Sequence, residues 1–179
     1  MRRKGEKITS YGSELASLAQ GMVETMNRAQ GIGLAAQQVG HPVQVCVVDL
    51  RSTEAEFDWK LDGTKTPLDL FMPMVIVNPK LTVARKTPAE VLEEGCLSFP
   101  EIRGNVERAL SVTAKYNDQH GLPHVLECTG LFARCILHEA DHLNGVLFID
   151  RMTKPVRSEI DEAVKALAKR TRAAKAAAP

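Results

Sequence analysis

The sequence predicts one domain of the α+β class. Short β-branched segments recur along the chain, and they surround helical segments at 14–27 and 131–143 instead of alternating with helices one for one. Strict alternation would indicate a doubly wound parallel sheet, so the observed order favours strands and helices that are segregated. With 179 residues, the chain is long enough to bury a sizeable core within one domain.

The first third of the chain contains one predicted helix and one predicted strand. In residues 14–27 apolar side chains recur at helical spacing, and Ser13 is placed to cap the helix. Residues 43–49 are rich in valine and predict a strand. Residues 51–67 are polar and contain Asp-Gly and Thr-Pro pairs, which are typical of turns, so this segment is interpreted as a surface insertion.

The rest of the chain contains short strands and two further helices. The strands are predicted at 75–78, 81–84, 106–116 and 125–128. The helix at 131–143 is followed by Asn144 and Gly145, which fit a C-cap. A last helix is predicted from Pro155, where lysines and arginines lie among alanines in the manner of a solvated face. We therefore expect the domain to occupy 1–154 and a basic helix or tail to occupy 155–179.

Composition narrows the class of protein. The net charge of +1 gives no field that would favour nucleic acid, so DNA is not expected as a partner. No apolar stretch approaches the roughly 20 residues that span a bilayer, and no apolar run follows the basic start of the chain, so neither a membrane partner nor an export signal is expected. The four cysteines are then expected to stay reduced in a cytoplasmic compartment.

The most informative pattern is HEADH at residues 138–142. On a helix, His138 and His142 project from one face and can bind a single metal ion, while Glu139 lies close enough to take a proton from a bound water. The run EGCLS at 94–98 offers Cys96 as a third ligand. Two imidazoles and one thiolate leave one position open on a tetrahedral ion, so the pattern predicts a metal-dependent hydrolase.

Other interpretations of these segments are open at this point. HExxH also occurs by chance on helices whose polar residues face solvent, and a cysteine such as Cys96 is often a small buried apolar residue. The glycine-rich run GIGLAAQQ at 31–38 lacks the Lys-Ser/Thr ending of a phosphate loop, and it fits better a tight loop that presents Gln38 inward. His120 and His124 lie in a predicted turn and are interpreted as surface residues.

Three segments together resemble the signature motifs of the bacterial-type peptide deformylases. They are GIGLAAQQ at 31–38, EGCLS at 94–98 and HEADH at 138–142, in that family's order and approximate spacing. The similarity covers about residues 10–152. The fold that it implies has antiparallel β-sheets wrapped around a central helix that carries HExxH, which agrees with the α+β prediction.

The resemblance implies a definite reaction, the removal of the formyl group from the N-terminal formyl-methionine of new polypeptides. Cys96, His138 and His142 would hold one divalent ion, most often Fe²⁺, with Ni²⁺, Co²⁺ or Zn²⁺ as substitutes. A hydroxide on the ion would attack the formyl carbon, and Glu139 would carry the proton to the departing amine. By the same resemblance, the backbone N–H of Leu97 and the side-chain amide of Gln38 would stabilise the oxyanion.

The resemblance also implies how peptide and ribosome are bound. The substrate would add as a strand beside backbone groups, Arg103 would contact its backbone, and an apolar pocket would hold the methionine side chain. The residues implied in substrate binding are Ile32, Gly33, Leu92, Gly95, Arg103, Leu131 and Cys135. Glu94 and Arg108 match a pair that supports the metal loop, and the basic tail would dock on the ribosome.

Some features depart from the family, and two other functions are considered. A short strand that usually precedes the first helix is expected to be missing, and Leu137 replaces a common glutamine. A metallopeptidase or other amidase with HExxH would ordinarily take its third ligand from a downstream His or Glu, not an upstream Cys. A non-catalytic metal-binding or ribosome-associated module would need neither Glu139 nor Gln38.

Overall fold

The structure, a computed structural model, describes residues 1–177 and contains three α-helices and eight strands within that range. The helices are α1 Ser13–Arg28, α2 Gly130–Leu143 and α3 Lys154–Ala177. The strands are β1 Gly33–Ala35, β2 Val45–Val48, β3 Trp59–Leu61, β4 Met74–Thr82, β5 Ala89–Cys96, β6 Phe99–Ala109, β7 Ser111–Asn117 and β8 Pro123–Thr129. The α+β prediction is thereby confirmed. The last two residues of the predicted tail, 178 and 179, lie outside the described residues.

The first of two compact units comprises Met1–Glu90 and Arg108–Leu147. Its centre is a six-stranded sheet in the order β1-β2-β4-β7-β8-β3. Neighbouring strands in this order pair antiparallel. Helices α1 and α2 cover opposite faces of this sheet. Alternate side chains of a strand point to opposite faces, so all four residues of β2 can be buried only because both faces are covered.

Two apolar clusters form the core on the two faces. The cluster beneath α1 consists of Leu15, Met22, Met26, Leu34, Ala36, Val45, Val47 and Val77. The cluster beneath α2 includes Ala35, Cys46, Val48, Ile76, Val112, Ala114, Leu126, Phe132, Cys135 and Ile136. Burying a side chain such as Phe132 completely contributes about 1.5–3 kcal/mol to folding, so the second cluster fixes α2 firmly on the sheet.

The first helix lies close to its predicted bounds but begins differently. The N-cap is Gly12 and no side chain caps the helix, so the prediction that Ser13 is the N-cap is wrong by one residue. At the other end, the N–H of Ala29 bonds the carbonyl of Thr25. The apolar spacing that predicted α1 is the spacing of its buried residues, which include Met22 and Met26.

Several strands differ from the prediction for local reasons. The segments predicted at 75–78 and 81–84 are one strand, β4, whose register shifts between Val77 and Lys80, where Asn78 has φ +52°. The segment predicted at 106–116 is divided at Leu110, whose N–H bonds the carbonyl of Pro88 instead of a neighbouring strand. The polar segment 51–67 contains β3, which pairs with β8 at the edge of the sheet.

The second unit comprises Val91–Glu107 and the chain from Phe148 onward. Strands β5 and β6 form a two-stranded sheet. Phe99 of β6 packs edge-to-face on Phe148, with ring centroids 5.4 Å apart. A Cβ atom at Gly104 would lie 2.6 Å from Cε of Met152, so glycine lets the segment before α3 approach β6 closely.

Two general expectations are checked by the described residues. Within residues 1–177 none of the four cysteines forms a disulfide bond, and three of them are buried. Among residues 1–177, no helix combines the length and the apolar character needed to cross a bilayer. Of the three helices, α3 is the longest, and it is largely exposed and charged.

Candidate metal centre and active site

Helix α2 holds both histidines of the HEADH pattern. The two rings pack edge-to-face, with centroids 5.0 Å apart and an interplanar angle of 74°. The side chain of His142 is completely enclosed at 1% exposure. Burial, together with the neighbouring His138, lowers the pKa of His142 to about 3. Its imidazole is therefore neutral at physiological pH, which is the form that binds metal ions.

Cys96 completes a set of three donors with these histidines. One ligand atom each from Cys96, His138 and His142 lies within 4.8 Å of the other two. Ligands of one tetrahedral ion are about 3.3–3.6 Å apart when the bonds are about 2.0–2.3 Å long. A thiol and two imidazoles that lie this close together are a donor set that suits a single ion of the Fe²⁺ or Zn²⁺ type.

The carboxyl group of Glu139 is buried beside the first histidine and against strand β1. The residue is 4% exposed. A Cβ atom at Gly33 would lie 2.4 Å from Oε1 of Glu139 and 3.0 Å from Sγ of Cys135. Real Cβ atoms do not approach other atoms so closely, so only glycine leaves room for this carboxyl group. The structure thus brings together three predicted site residues, Gly33, Cys135 and Glu139.

Gln38 lies in the 3₁₀ turn Ala36–Val39, directly after β1. Its Oε1 accepts the backbone N–H of Ala35 at 2.8 Å, which fixes the orientation of the side-chain amide. The other end of the amide, the donor Nε2, therefore points away from Ala35. The turn ends at Gly40, whose φ of +91° is the left-handed conformation that favours glycine.

A buried ion pair supports the metal-binding helix from the side. Nη1 of Arg108 donates to Oδ2 of Asp141 at 2.6 Å, and the two side chains are only 5% and 10% exposed. Asp141 lies inside the HEADH pattern, immediately before His142. We did not identify it from the sequence, although a carboxylate at a buried helical position requires a cationic partner. Glu94, expected beside Arg108, is buried at 6% exposure.

The C-terminal end of α2 is bound by residues far away in sequence. The carbonyl of Leu143 accepts the backbone N–H of Gly5 at 2.9 Å and Nε2 of Gln44 at 2.9 Å. Nε2 of Gln37 also donates to it at 3.2 Å. Helix ends leave such carbonyls without partners inside the helix, and here three donors meet one of them. The Gly145 turn beyond it has φ +75°, as the predicted C-cap requires.

The predicted substrate residues of the first unit lie in one apolar region. Ile32 and Leu131 are partly buried against the core cluster that contains Cys135. Sγ of Cys135 donates to the carbonyl of Ile32 at 3.5 Å. Ile32 and Leu131 thus pack on the core cluster to which Cys135 belongs, and Cys135 contacts Ile32 directly.

The second unit holds the other predicted substrate residues. The side chain of Arg103 lies across Gly95, since a Cβ atom there would be 3.4 Å from Cγ of Arg103. Leu92 and Leu97 are exposed to 44% and 39%. Both apolar side chains of the second unit are therefore accessible to a ligand.

An α+β fold, a helix that carries HExxH and a Cys–His–His donor set define a metal-dependent hydrolase. Comparisons with known proteins agree. The sequence model described as polypeptide deformylase matches residues 1–158. A peptide deformylase from Opitutus terrae is 62% identical over 174 residues, which cover 97% of this chain and 91% of that protein.

Solved structures give the same result. Peptide deformylase from Plasmodium falciparum superposes with a TM-score of 0.80 at 31% identity, covering 96% of this chain and 92% of that one. Peptide deformylase 1B from Arabidopsis thaliana, in complex with an inhibitor, gives a TM-score of 0.78 at 36% identity, with 95% and 86% covered. The chain belongs to the polypeptide deformylase family, the metal-dependent hydrolases that remove the N-terminal formyl group of nascent peptides.

Proposed function

We propose that this chain hydrolyses the formyl amide of N-terminal formyl-methionine on nascent polypeptides, releasing formate and a free amine. The observation that carries the proposal is the meeting of one thiol and two imidazoles within 4.8 Å. Glu139 directly follows the first histidine and is buried. Its carboxyl group is one that a purely structural metal site would not need.

Cys96, His138 and His142 are the proposed ligands of one divalent ion. We take the ion to be Fe²⁺ in the cell, with Ni²⁺, Co²⁺ or Zn²⁺ able to replace it. A thiolate and two imidazoles suit these ions, whereas Mg²⁺ and Ca²⁺ prefer oxygen ligands. When bound, such an ion supplies Lewis-acid activation of a water molecule near neutral pH.

Glu139 is the proposed general acid and base. Its carboxylate takes a proton from the attacking water and delivers it to the amine nitrogen, so that the amine leaves uncharged. The close approach of Gly33 restricts the positions that this carboxylate can occupy, which favours a single productive orientation. Proton transfer by a positioned group of this kind contributes about 10²–10⁴-fold to the rate.

Gln38 and Leu97 are the proposed oxyanion donors. Nε2 of Gln38 and the backbone N–H of Leu97 would donate to the formyl oxygen as it gains negative charge. The bond between Oε1 of Gln38 and the N–H of Ala35 holds the amide in place before the reaction begins. Removal of one such donor raises a barrier by about 3–4 kcal/mol.

The peptide is proposed to bind as an added strand. Backbone groups of Ile32, Gly33 and Gly95 would pair with it, and Arg103 would contact its backbone. Arg103 is suited to this role because its ion pair with Glu93 is long, at 3.8 Å, and both side chains are mostly exposed. The guanidinium is therefore held only weakly by the protein itself.

The methionine side chain is proposed to occupy an apolar pocket that Ile32, Leu92, Leu131 and Cys135 would line. Ile32 and Leu131 pack against the core cluster beneath α2, and Cys135 is a member of it. Their apolar character matches a methionine thioether, which adapts its shape to irregular surroundings.

Residues 1–154 are the proposed metallohydrolase domain, and the tail at 155–179 is proposed to dock on the ribosome in the cytoplasm. The exposed Lys169, Arg170 and Arg172 have no acidic neighbour on the following turn of α3 and would face the phosphates of ribosomal RNA. Replacing all three with glutamate should abolish co-sedimentation with ribosomes and leave turnover of free peptides unchanged. Unchanged co-sedimentation would remove this part of the proposal.

The reaction itself is tested by formate release from a formyl-methionine peptide. The protein is purified without oxygen and loaded with Fe²⁺ or Ni²⁺, and an acetyl-methionine peptide is assayed beside it. We expect turnover of the formyl substrate alone, and a loss of at least about 10²-fold in the Glu139→Gln variant with its metal content unchanged. Glu127→Gln, an exposed glutamate on β8, serves as the matched control and should keep full activity.

Two other results would contradict the proposal. Cleavage of an internal peptide bond in preference to the formyl amide would indicate a metallopeptidase. Stoichiometric metal without any turnover would indicate a binding module that has lost catalysis.

A further inference from the structure

Gln37 directly precedes the proposed oxyanion donor Gln38 in the 3₁₀ turn Ala36–Val39, and its side chain is enclosed by the protein. The residue is 5% exposed, and its Nε2 donates to the carbonyl of Leu143 at 3.2 Å. Leu143 is the last residue of α2 and follows the proposed metal ligand His142. One side-chain amide thus joins the turn that carries Gln38 to the helix that carries both histidines of the metal site.

The surroundings of the Gln37 amide leave it little freedom to move. A Cβ atom at Gly5 would lie 2.7 Å from Nε2 of Gln37, so the backbone of Gly5 packs directly on this nitrogen. The N–H of Gly5 donates to the same carbonyl of Leu143, at 2.9 Å. The amide is therefore held between two backbone groups that are themselves bonded to each other.

The buried amide of Gln37 is unfavourable for folding. Its Oε1 is enclosed and has no hydrogen-bond partner among residues 1–177. A buried acceptor without a partner costs more than one hydrogen bond between neutral groups returns. A methionine, which is of similar size and apolar, would fill the position without that cost. Stability alone therefore does not account for glutamine here, and a buried unsatisfied group of this kind requires another explanation.

The turn is held from two sides. Ala36 is buried in the apolar cluster beneath α1 and Val39 packs against that cluster, so one side of the turn lies on α1. On the side of α2, Gln37 provides the hydrogen bond to the helix end. The bond from the N–H of Ala35 to Oε1 of Gln38 orients the amide of Gln38 relative to β1. Electrostatic stabilisation depends on donors that are already in place, and a displacement of about 1 Å can cost roughly 10²-fold in rate.

We propose that Gln37 is a positioning residue for the oxyanion donor. Its bond to Leu143 fixes the turn relative to the metal-binding helix, so that Nε2 of Gln38 is directed at the formyl oxygen. In this role Gln37 contacts neither the substrate nor the ion, and it acts through Gln38. The inference rests on the proposed deformylase function, in which Gln38 stabilises the oxyanion.

The first experiment is a double-mutant cycle of Gln37→Met and Gln38→Ala, measured as formate release from a formyl-methionine peptide by the Ni²⁺-loaded protein. Gln37→Met should lower kcat about 5–20-fold, because it misplaces a donor whose complete loss costs about 10²–10³-fold. KM should stay unchanged, since the interaction is made in the transition state. In the Gln38→Ala background the same substitution should lower kcat by less than about twofold, because no donor remains to be positioned.

Two outcomes of the cycle are contrary and can be told apart. If the wild type is active and the two losses simply multiply, Gln37 does not act through Gln38 and the inference is overturned. If the wild type releases no formate, the proposed function is overturned, and this inference with it.

A second measurement separates positioning from support of the fold. The amide of Ala35, which bonds Oε1 of Gln38, should exchange its hydrogen at least about 5-fold faster in Zn²⁺-loaded Gln37→Met than in the wild type. The urea midpoint should not fall, because the substitution also removes the unpartnered Oε1. Gln44→Met, which removes a bond to the same carbonyl from outside the turn, should leave the exchange of Ala35 unchanged. A lower urea midpoint in Gln37→Met with unchanged exchange at Ala35 would overturn the proposal.

Discussion

The backbone of Gly33 lies against the carboxyl group of Glu139 so closely that a Cβ atom at Gly33 would be 2.4 Å from Oε1. Gly33 has no positive φ, so its backbone conformation would accept an alanine. The requirement for glycine is therefore a requirement for space beside the carboxyl group. β1 and α2 are positioned by the same core cluster, which includes Ala35 and Cys135, so neither element can easily move away.

Gly33→Ala should therefore reduce activity by displacing Glu139. A shift of about 1 Å in a catalytic group can lower turnover roughly 10²-fold, and we expect a loss of that order in kcat for the formyl peptide. Because the metal ligands are untouched, bound metal should remain at one equivalent per chain in the presence of Ni²⁺. The measurement is steady-state formate release beside metal analysis.

Gly21→Ala is the matched control for this substitution. Gly21 lies within α1, and a Cβ atom there would meet nothing within 4 Å. Alanine should stabilise the helix by about 0.5–1 kcal/mol and leave kcat unchanged. Full activity in Gly33→Ala would show that Glu139 can move aside without consequence.

The sequence was sufficient for those parts of the site that depend on local spacing. The helical period alone places His138 and His142 on one face, and the order of the three motifs identified Cys96 as the third donor. The contact between Gly33 and Glu139 joins positions 106 residues apart. It depends on how α2 packs against the edge of the sheet, so local spacing does not predict it. Asp141 was missed for the same reason, since its partner Arg108 lies on a different element whose position no local pattern specifies.

Arg108→Met should destabilise the fold strongly. It leaves the carboxylate of Asp141 buried without its guanidinium partner, and loss of one member of a buried pair typically costs about 3–5 kcal/mol. The double variant Arg108→Met/Asp141→Leu should recover much of that loss, because it removes both charges. Urea unfolding of the metal-free protein measures both values.

An exposed ion pair provides the comparison for Arg108. Lys165 and Glu162 of α3 are 2.8 Å apart but are exposed to 69% and 88%. Lys165→Met should change the free energy of unfolding by less than about 1 kcal/mol. If Arg108→Met were equally mild, the buried pair would contribute nothing to the support of α2.

Gln44→Met should loosen the end of the metal-binding helix. Nε2 of Gln44 donates to the carbonyls of both Leu143 and Gly5, and a methionine of similar size cannot replace these bonds. The carbonyl of Leu143 keeps the N–H of Gly5 and Nε2 of Gln37 as donors, so each lost hydrogen bond costs about 0.5–1.5 kcal/mol and the two together about 1–3 kcal/mol. We expect a loss of that size in urea unfolding and faster hydrogen exchange at the amide of Gly5. Gln20→Met on the exposed face of α1 should change neither, and slow exchange at Gly5 in Gln44→Met would contradict the proposed anchoring.

The stability of the metal-free protein should fall at alkaline pH because buried thiols resist ionisation. Burial raises the pKa of Cys128 to about 12, and burial together with the charge of Glu139 raises the pKa of Cys46. An unfolded thiol has a pKa of about 8.5. Between about pH 8.5 and 12 the unfolded chain therefore binds fewer protons than the folded chain, and rising pH favours unfolding by up to about 1.4 kcal/mol per pH unit for each such group. Cys128→Ala removes one of these groups, so it should be less stable than the wild type at pH 8 and approach or exceed it by pH 10. Urea unfolding at pH 8, 9 and 10 measures the difference in the free energy of unfolding between the wild type and Cys128→Ala. A difference that stays constant across that range would show that Cys128 ionises alike in the folded and unfolded chains.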